Sequence, residues 1–90
     1  MKDVELFGSK QCPYCRKAED ILKKHRIPYK WKEVAIVAGV KLPTGNFKEM
    51  ERRSGGQTTV PQIFVDTKHY GDEDTLMADE RSGKLATVFS

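Results

Sequence analysis

The sequence predicts an α/β domain, a four-stranded sheet flanked by about three helices. Three observations carry that prediction. The hydrophobic period alternates between strand-like and helix-like in the order β-α-β-α-β-β-α. The chain has 90 residues, and since roughly 100–200 residues per domain is usual, residues 1–90 read as one domain. Hydrophobic residues are 38% and charged residues 32%, a balance that builds a core and argues against a disordered chain.

Val4-Glu5-Leu6-Phe7 is a short, mostly apolar run that ends at Gly8, and it reads as the first strand. Pro13 then occupies a position favoured at the start of a helix. From there Cys15, Ala18, Ile21, Leu22 and His25 recur at three- and four-residue spacing. They describe one face of an amphipathic helix over 13–25, with Arg16, Lys17, Glu19, Asp20, Lys23 and Lys24 on the other side. Pro28 closes the pattern, because the residue before a proline avoids the α region.

Tyr29 to Val34 alternates large apolar and charged residues, as a half-buried strand does. Ala35-Ile36-Val37 can extend it. Gly39, Pro43, Thr44, Gly45 and Asn46 are turn formers and predict a loop. Phe47 to Arg53 reads as a short charged helix closed by Ser54-Gly55-Gly56. Val60 to Val65 is a third strand that begins at a proline. Asp66-Thr67-Lys68 turns the chain, and His69-Tyr70 starts a fourth strand punctuated by Gly71. Asp72, Glu73 and Asp74 place acids in the first turn of a last helix, where the helix dipole favours them. Leu76, Met77 and Glu80 continue that helix.

The chemistry centres on Cys12-Pro13-Tyr14-Cys15, the only two cysteines of the chain. A C-x-x-C that opens a helix sets its first sulfur near unsatisfied backbone N–H groups at the positive end of the dipole. Both favour thiolate over thiol. Lys10, Arg16 and Lys17 add positive potential. Cys15, one turn further in, falls on the apolar face and is the more buried sulfur. An accessible attacker with a buried resolving thiol is what thiol–disulfide exchange needs. Three other readings stay open. A structural disulfide across so short a loop constrains the unfolded chain little. A zinc site needs about four ligands, and only His25 and His69 remain to complete one. An iron–sulfur cluster shared between two chains is the third.

FGSKQCPYC, the amphipathic helix, TTVPQIFVD and the Gly71-Asp72-Glu73-Asp74-Thr75-Leu76 segment together resemble the glutaredoxin family. The resemblance runs from about residue 2 to residue 80, broken at 35–46. It implies a thioredoxin-like (glutaredoxin) fold with a four-stranded mixed sheet. It also implies the dithiol class of glutathione-disulfide oxidoreductase, with Cys12 as nucleophile, Cys15 as resolving thiol and glutathione as co-substrate.

By the same resemblance Thr59-Val60-Pro61 is a cis-proline element whose Val60 backbone pairs with the cysteinyl part of glutathione. The plainer reading of that segment is an edge strand starting at a proline. Asp74 and Thr75 would hold the γ-glutamyl end, alongside ordinary helix capping by Asp72 and Asp74. Tyr14 would line the groove, and Lys10 would assist. Clients implied are disulfide-containing or glutathionylated proteins, ribonucleotide reductase among them, acting with a monomer. Two further readings remain beside this one: an iron–sulfur carrier or sensor, and a redoxin reduced by thioredoxin reductase.

The chain departs from the family pattern at four places. Lysine three residues before the first cysteine is replaced by Ser9, with Lys10 next to it. The second glycine of the Gly-Gly element is Asp72. Gly55-Gly56 resembles a one-residue insertion, which leaves Lys48 and Gln57 as alternatives for binding the glycyl carboxylate. Residues 37–46 are longer than the usual connection, either a surface loop or part of a docking site.

The net charge of +3 is too small to argue for nucleic acid. Its distribution is uneven, basic over 1–65 and acidic over 66–90. That describes either an ordinary solvated surface or a ligand with charges of both signs. No apolar run reaches the ~18–20 residues of a membrane span, and MKDVELFGSK has no apolar signal core. The expectation is a cytoplasmic protein with neither membrane nor nucleic-acid partner, and with no metal.

Overall fold

The computed structural model describes residues 2–90. β1 (Val4–Gly8) is buried at every position. It lies between two neighbours, pairing in parallel with β2 (Lys30–Glu33) and antiparallel with β5 (Gln62–Val65). A strand covered on both faces is mostly apolar, which is why it reads as a run rather than an alternation; its one charged residue, Glu5, is buried against Arg53. β6 (Lys68–Gly71) pairs antiparallel with β5, and the four-stranded mixed sheet has the order β2-β1-β5-β6.

Helices cover both faces. Val4 and Leu6 point into a core with Ala18, Ile21 and Leu22 of α1 (Pro13–Lys24), Leu76 of α3 (Glu73–Arg81), and Leu85 and Phe89 of α4 (Leu85–Phe89). Phe7 points the other way, to Phe64, Val34 and Met50 of α2 (Gly45–Arg53). Each fully buried aliphatic or aromatic side chain contributes about 1.5–3 kcal/mol over its exposed state.

The 35–46 stretch is neither an extension of β2 nor an irregular loop. Ile36–Val37 (β3) and Val40–Lys41 (β4) form a separate antiparallel hairpin. Ala38 and Gly39 join them with φ of 52° and 78°, the pair of left-handed residues that a two-residue hairpin turn requires. Alanine in the left-handed region costs about 1–2 kcal/mol, so the turn lacks the usual Asn-Gly signature. The turn formers just after it are a helix cap: Thr44 Oγ1 accepts from the Phe47 N–H at 3.4 Å, and α2 begins at Gly45 rather than Phe47.

Two further features depart from the sequence reading. Glu19 belongs to the buried face of α1. Its carboxylate takes the Lys10 ammonium at 2.9 Å and the Tyr29 hydroxyl, and those partners hold it below the usual carboxylate range against its burial. The short helix α4 is a fourth helix where the sequence predicts about three. Five residues show little periodicity, and Leu85 and Phe89, four apart, anchor it to the core.

Candidate active site

The reactive segment begins where β1 ends. Cys12 is the N-cap residue of α1 and Pro13 its first helical residue. The Cys12 N–H donates to the Ser9 carbonyl at 3.1 Å, and the Arg16 N–H donates to the Cys12 carbonyl at 3.1 Å. Among the described residues no side chain accepts a hydrogen bond at this end of the helix, which leaves the first-turn N–H groups beside Cys12 without a side-chain cap. Cys12 is half-buried, Cys15 has no exposed surface, and both are free thiols. Cys15 Sγ accepts from the Ser9 N–H at 3.5 Å. Burial pushes the Cys15 thiol up to about 12; the Ser9 N–H opposes that shift and Cys12 adds to it.

A second segment faces the first. The Val60–Pro61 peptide bond is cis, and the Val60 carbonyl oxygen lies 4.0 Å from Cys12 Sγ. Gln62, buried in β5, donates through its amide to the Thr59 carbonyl at 3.1 Å and to Thr59 Oγ1 at 3.2 Å. His69 holds the other end of that amide at 2.6 Å. Gln62 therefore braces the Thr59–Val60 backbone from beneath. Only its place two residues beyond Val60 marked it in the sequence.

Between the segments lies a groove of about 420 Å³. Cys12 and Tyr14 form one side and Thr59 and Val60 another. Ile36 and Lys41 of the hairpin, and Asp72 and Glu73 at the start of α3, complete it. Tyr14 is largely exposed, at 59%. A separate cleft of about 300 Å³, between the 25–28 turn and α4, contains neither cysteine.

Five of the residues predicted for the site thus come together: Cys12 and Tyr14 with Thr59 and Val60 in the groove, and Cys15 directly behind. Pro61 is buried next to Val60. Lys10 turns elsewhere, to Glu19 and over the Trp31 ring at 4.0 Å from its centroid. Asp74 is exposed at the start of α3 and is not part of the groove lining. Its N–H and that of Thr75 donate to Asp72 Oδ1 at 3.1 and 3.2 Å. Asp72, standing where the family has a second glycine, is thus the cap of α3 as well as part of the groove wall. Glu73 beside it is held above the usual carboxylate range by burial, with the Asp72 and Asp74 charges adding. Lys48 and Gln57 are both exposed and outside the groove lining. Among the described residues no cluster of three or more His, Cys, Asp or Glu side chains could hold a metal ion.

The sequence model of the family Glutaredoxin matches residues 4–70. The chain belongs to the glutaredoxin family. It is 37% identical to glutaredoxin 3 of Escherichia coli K12 over 85 residues, covering 94% of each chain. It is 39% identical to glutaredoxin 1 of Rickettsia prowazekii over 82 residues, covering 91% of this chain and 81% of that one. Among solved structures it is similar to the glutaredoxin of Brucella melitensis, at a TM-score of 0.76 and 31% identity, covering 99% of this chain and 89% of that one. A buckwheat glutaredoxin–glutathione complex superposes at a TM-score of 0.77 and 23% identity over 98% of this chain and 76% of that one, a likeness of fold alone. The fold is thioredoxin-like, and the chain is a thiol–disulfide oxidoreductase. Among the described residues no helix is long and apolar enough to cross a membrane.

Proposed function

We propose that the chain is a dithiol glutaredoxin that uses glutathione to reduce protein disulfides and glutathione mixed disulfides. One observation carries the reading. A half-exposed sulfur at a helix N-cap opens on a groove, and a second, fully buried sulfur lies one turn behind it.

Cys12, as thiolate, attacks one sulfur of a substrate disulfide. The substrate S–S bond breaks, a Cys12 mixed disulfide forms, and the other sulfur leaves as a thiolate that takes a proton. For a protein disulfide, Cys15 gives up its proton and attacks Cys12 Sγ. The client leaves as a dithiol, and Cys12–Cys15 is the oxidised product. One glutathione thiolate opens that disulfide at Cys12, and a second attacks the mixed disulfide to release glutathione disulfide and the free dithiol.

Burial keeps Cys15 protonated, and a thiol is a far poorer nucleophile than a thiolate. That slows the attack of Cys15 on a Cys12 mixed disulfide and leaves glutathione as its competitor. That favours a one-cysteine route for glutathionylated proteins. In the groove, the Val60 backbone beside Cys12 is the strand-like partner for the cysteinyl residue of glutathione. The proposed setting is the cytoplasm, where glutathione is kept reduced, and the proposed active form is a monomer. Family resemblance alone names ribonucleotide reductase among the clients.

A glutathione-coupled assay with a small glutathione mixed disulfide tests the reading. Cys12→Ser should abolish turnover. Cys15→Ser should keep it while losing reduction of protein disulfides. Wild-type turnover no faster than that of Cys12→Ser rejects the proposal.

A further inference from the structure

The β3–β4 hairpin takes no part in the four-stranded sheet, yet it walls the groove. Ile36 and Lys41 are directly opposite each other across the hairpin, and residues so paired project from the same face of a two-stranded ribbon. Both line the Cys12 groove. Val37 and Val40, the next pair, belong to the other face and are 58% and 61% exposed. The hairpin thus presents one particular face, with one particular cation, to the groove that holds the reactive sulfur.

Among the described residues Lys41 is the only basic one in the groove lining. Its ammonium makes no ion pair among the described residues, whereas Lys10 is committed to Glu19 and Arg53 to Glu5. The groove's other charges are the carboxyl groups of Asp72 and Glu73, contributed by a different element. A cation on one element, carboxyls on another and a nucleophilic sulfur in the same groove fit a thiol compound with a free carboxylate at one end and an ammonium at the other. We infer that Lys41 is the specificity-determining residue that receives the carboxylate of the thiol substrate, with Ile36 as the apolar contact beside it. Taking that thiol to be glutathione rests on the proposed function above. The carboxylate toward Lys41 is then the glycyl one, since the γ-glutamyl end, with its ammonium and its own α-carboxylate, goes to the acids at the start of α3.

Two measurements test this on the full chain. The first needs no glutathione. Cys12 is alkylated with iodoacetate, an anion, and with iodoacetamide, its neutral counterpart, in a Cys15→Ser background. Lys41→Gln should lower the iodoacetate-to-iodoacetamide rate ratio by about two- to fivefold, the range of a partly exposed ion pair, and Lys41→Arg should restore it. An unchanged ratio overturns the inference.

The second compares glutathione with its glycyl monoethyl ester as reductant in turnover. Wild type should lose about two- to fivefold in kcat/KM on esterification. Lys41→Gln should use the two thiols equally well. Discrimination that survives in Lys41→Gln overturns the assignment of the glycyl carboxylate. A wild type that uses neither thiol, but whose alkylation ratio responds to Lys41→Gln, removes glutathione and leaves Lys41 as the anion-selecting residue.

Discussion

A Cβ atom built on Gly8 would stand 2.9 Å from Cys15 Sγ and 3.3 Å from the Trp31 ring. The last residue of β1 is therefore a glycine because the resolving thiol packs against its backbone. Gly8→Ala should push Cys15 and the first turn of α1 outward. Overpacking of this kind costs about 1–3 kcal/mol, which urea unfolding reads directly. Closure of the Cys12–Cys15 disulfide, followed by rapid quench, should slow as well. Wild-type stability together with wild-type closure would contradict the packing described.

Cys15 supplies a pH dependence. Its thiol is raised from 9.0 to about 12, chiefly by burial. Between those values the folded chain holds a proton that the unfolded chain has released, so unfolding is favoured as pH rises. The stabilisation is complete below about pH 9 and is lost progressively toward pH 12. Reduced wild type should therefore lose more stability between pH 8 and pH 11 than Cys15→Ala does, measured by urea unfolding on both. Parallel curves would show that Cys15 ionises as readily folded as unfolded.

Glu5 and Arg53 form the main ion pair within the fold. The guanidinium meets the carboxylate at 2.8 and 3.1 Å and lies 4.4 Å from the Phe64 ring centroid. It holds Glu5 below the usual carboxylate range, with burial opposing. Arg53→Ala should cost about 1.5–3 kcal/mol at neutral pH, the worth of hydrogen bonds to a charged group. A lowered carboxyl stabilises above its unfolded value of 4.5 and loses that contribution as pH falls through the folded value. The stability gap between wild type and Arg53→Ala should thus narrow in acid. A gap independent of pH would assign the whole effect to packing on the aromatic rings.

Asp72 and Asp74 separate capping from binding. Asp72→Ala removes the acceptor shared by the Asp74 and Thr75 N–H groups, a loss of about 0.5–2 kcal/mol. Asp74, exposed and without such a bond to its side chain among the described residues, should leave stability within about 0.5 kcal/mol on Asp74→Ala. In the role the family resemblance gives it, partner of the γ-glutamyl ammonium, Asp74→Ala should instead raise KM for glutathione, whereas an unchanged KM would leave the ammonium to Asp72 and Glu73 of the groove lining. A stability loss without a KM change would move Asp74 out of the binding role.

Motifs of local origin were legible in the chain. A proline after Cys12, apolar residues every three or four positions and a buried strand ending at Gly8 all express rules that act within one turn or one strand. So the two thiols and the helix that carries them could be read from the chain alone, whereas the Val60-Pro61 element came only from the family resemblance. Thr44 and Asn46 were visible too, but as turn formers, because a helix cap and a loop use the same residues.

What lies between elements was not legible. Glu19 looks like a solvated helix residue until Tyr29 reaches it from just before β2 and Lys10 from the loop before α1. Lys10 looks like a site residue for want of that same contact. Lys41 and Ile36 belong to a stretch without strong periodicity, and Ala38 hides the turn that pairs them.

By itself the sequence determined where the reactive thiols sit and what carries them, since the identity and spacing of Cys12 and Cys15 and the order of elements are local properties. Tertiary structure decided which charges surround the sulfur. A hairpin and a helix N-terminus converge on one groove only once the sheet has ordered, because side-chain neighbours across distant segments are set by packing rather than by spacing.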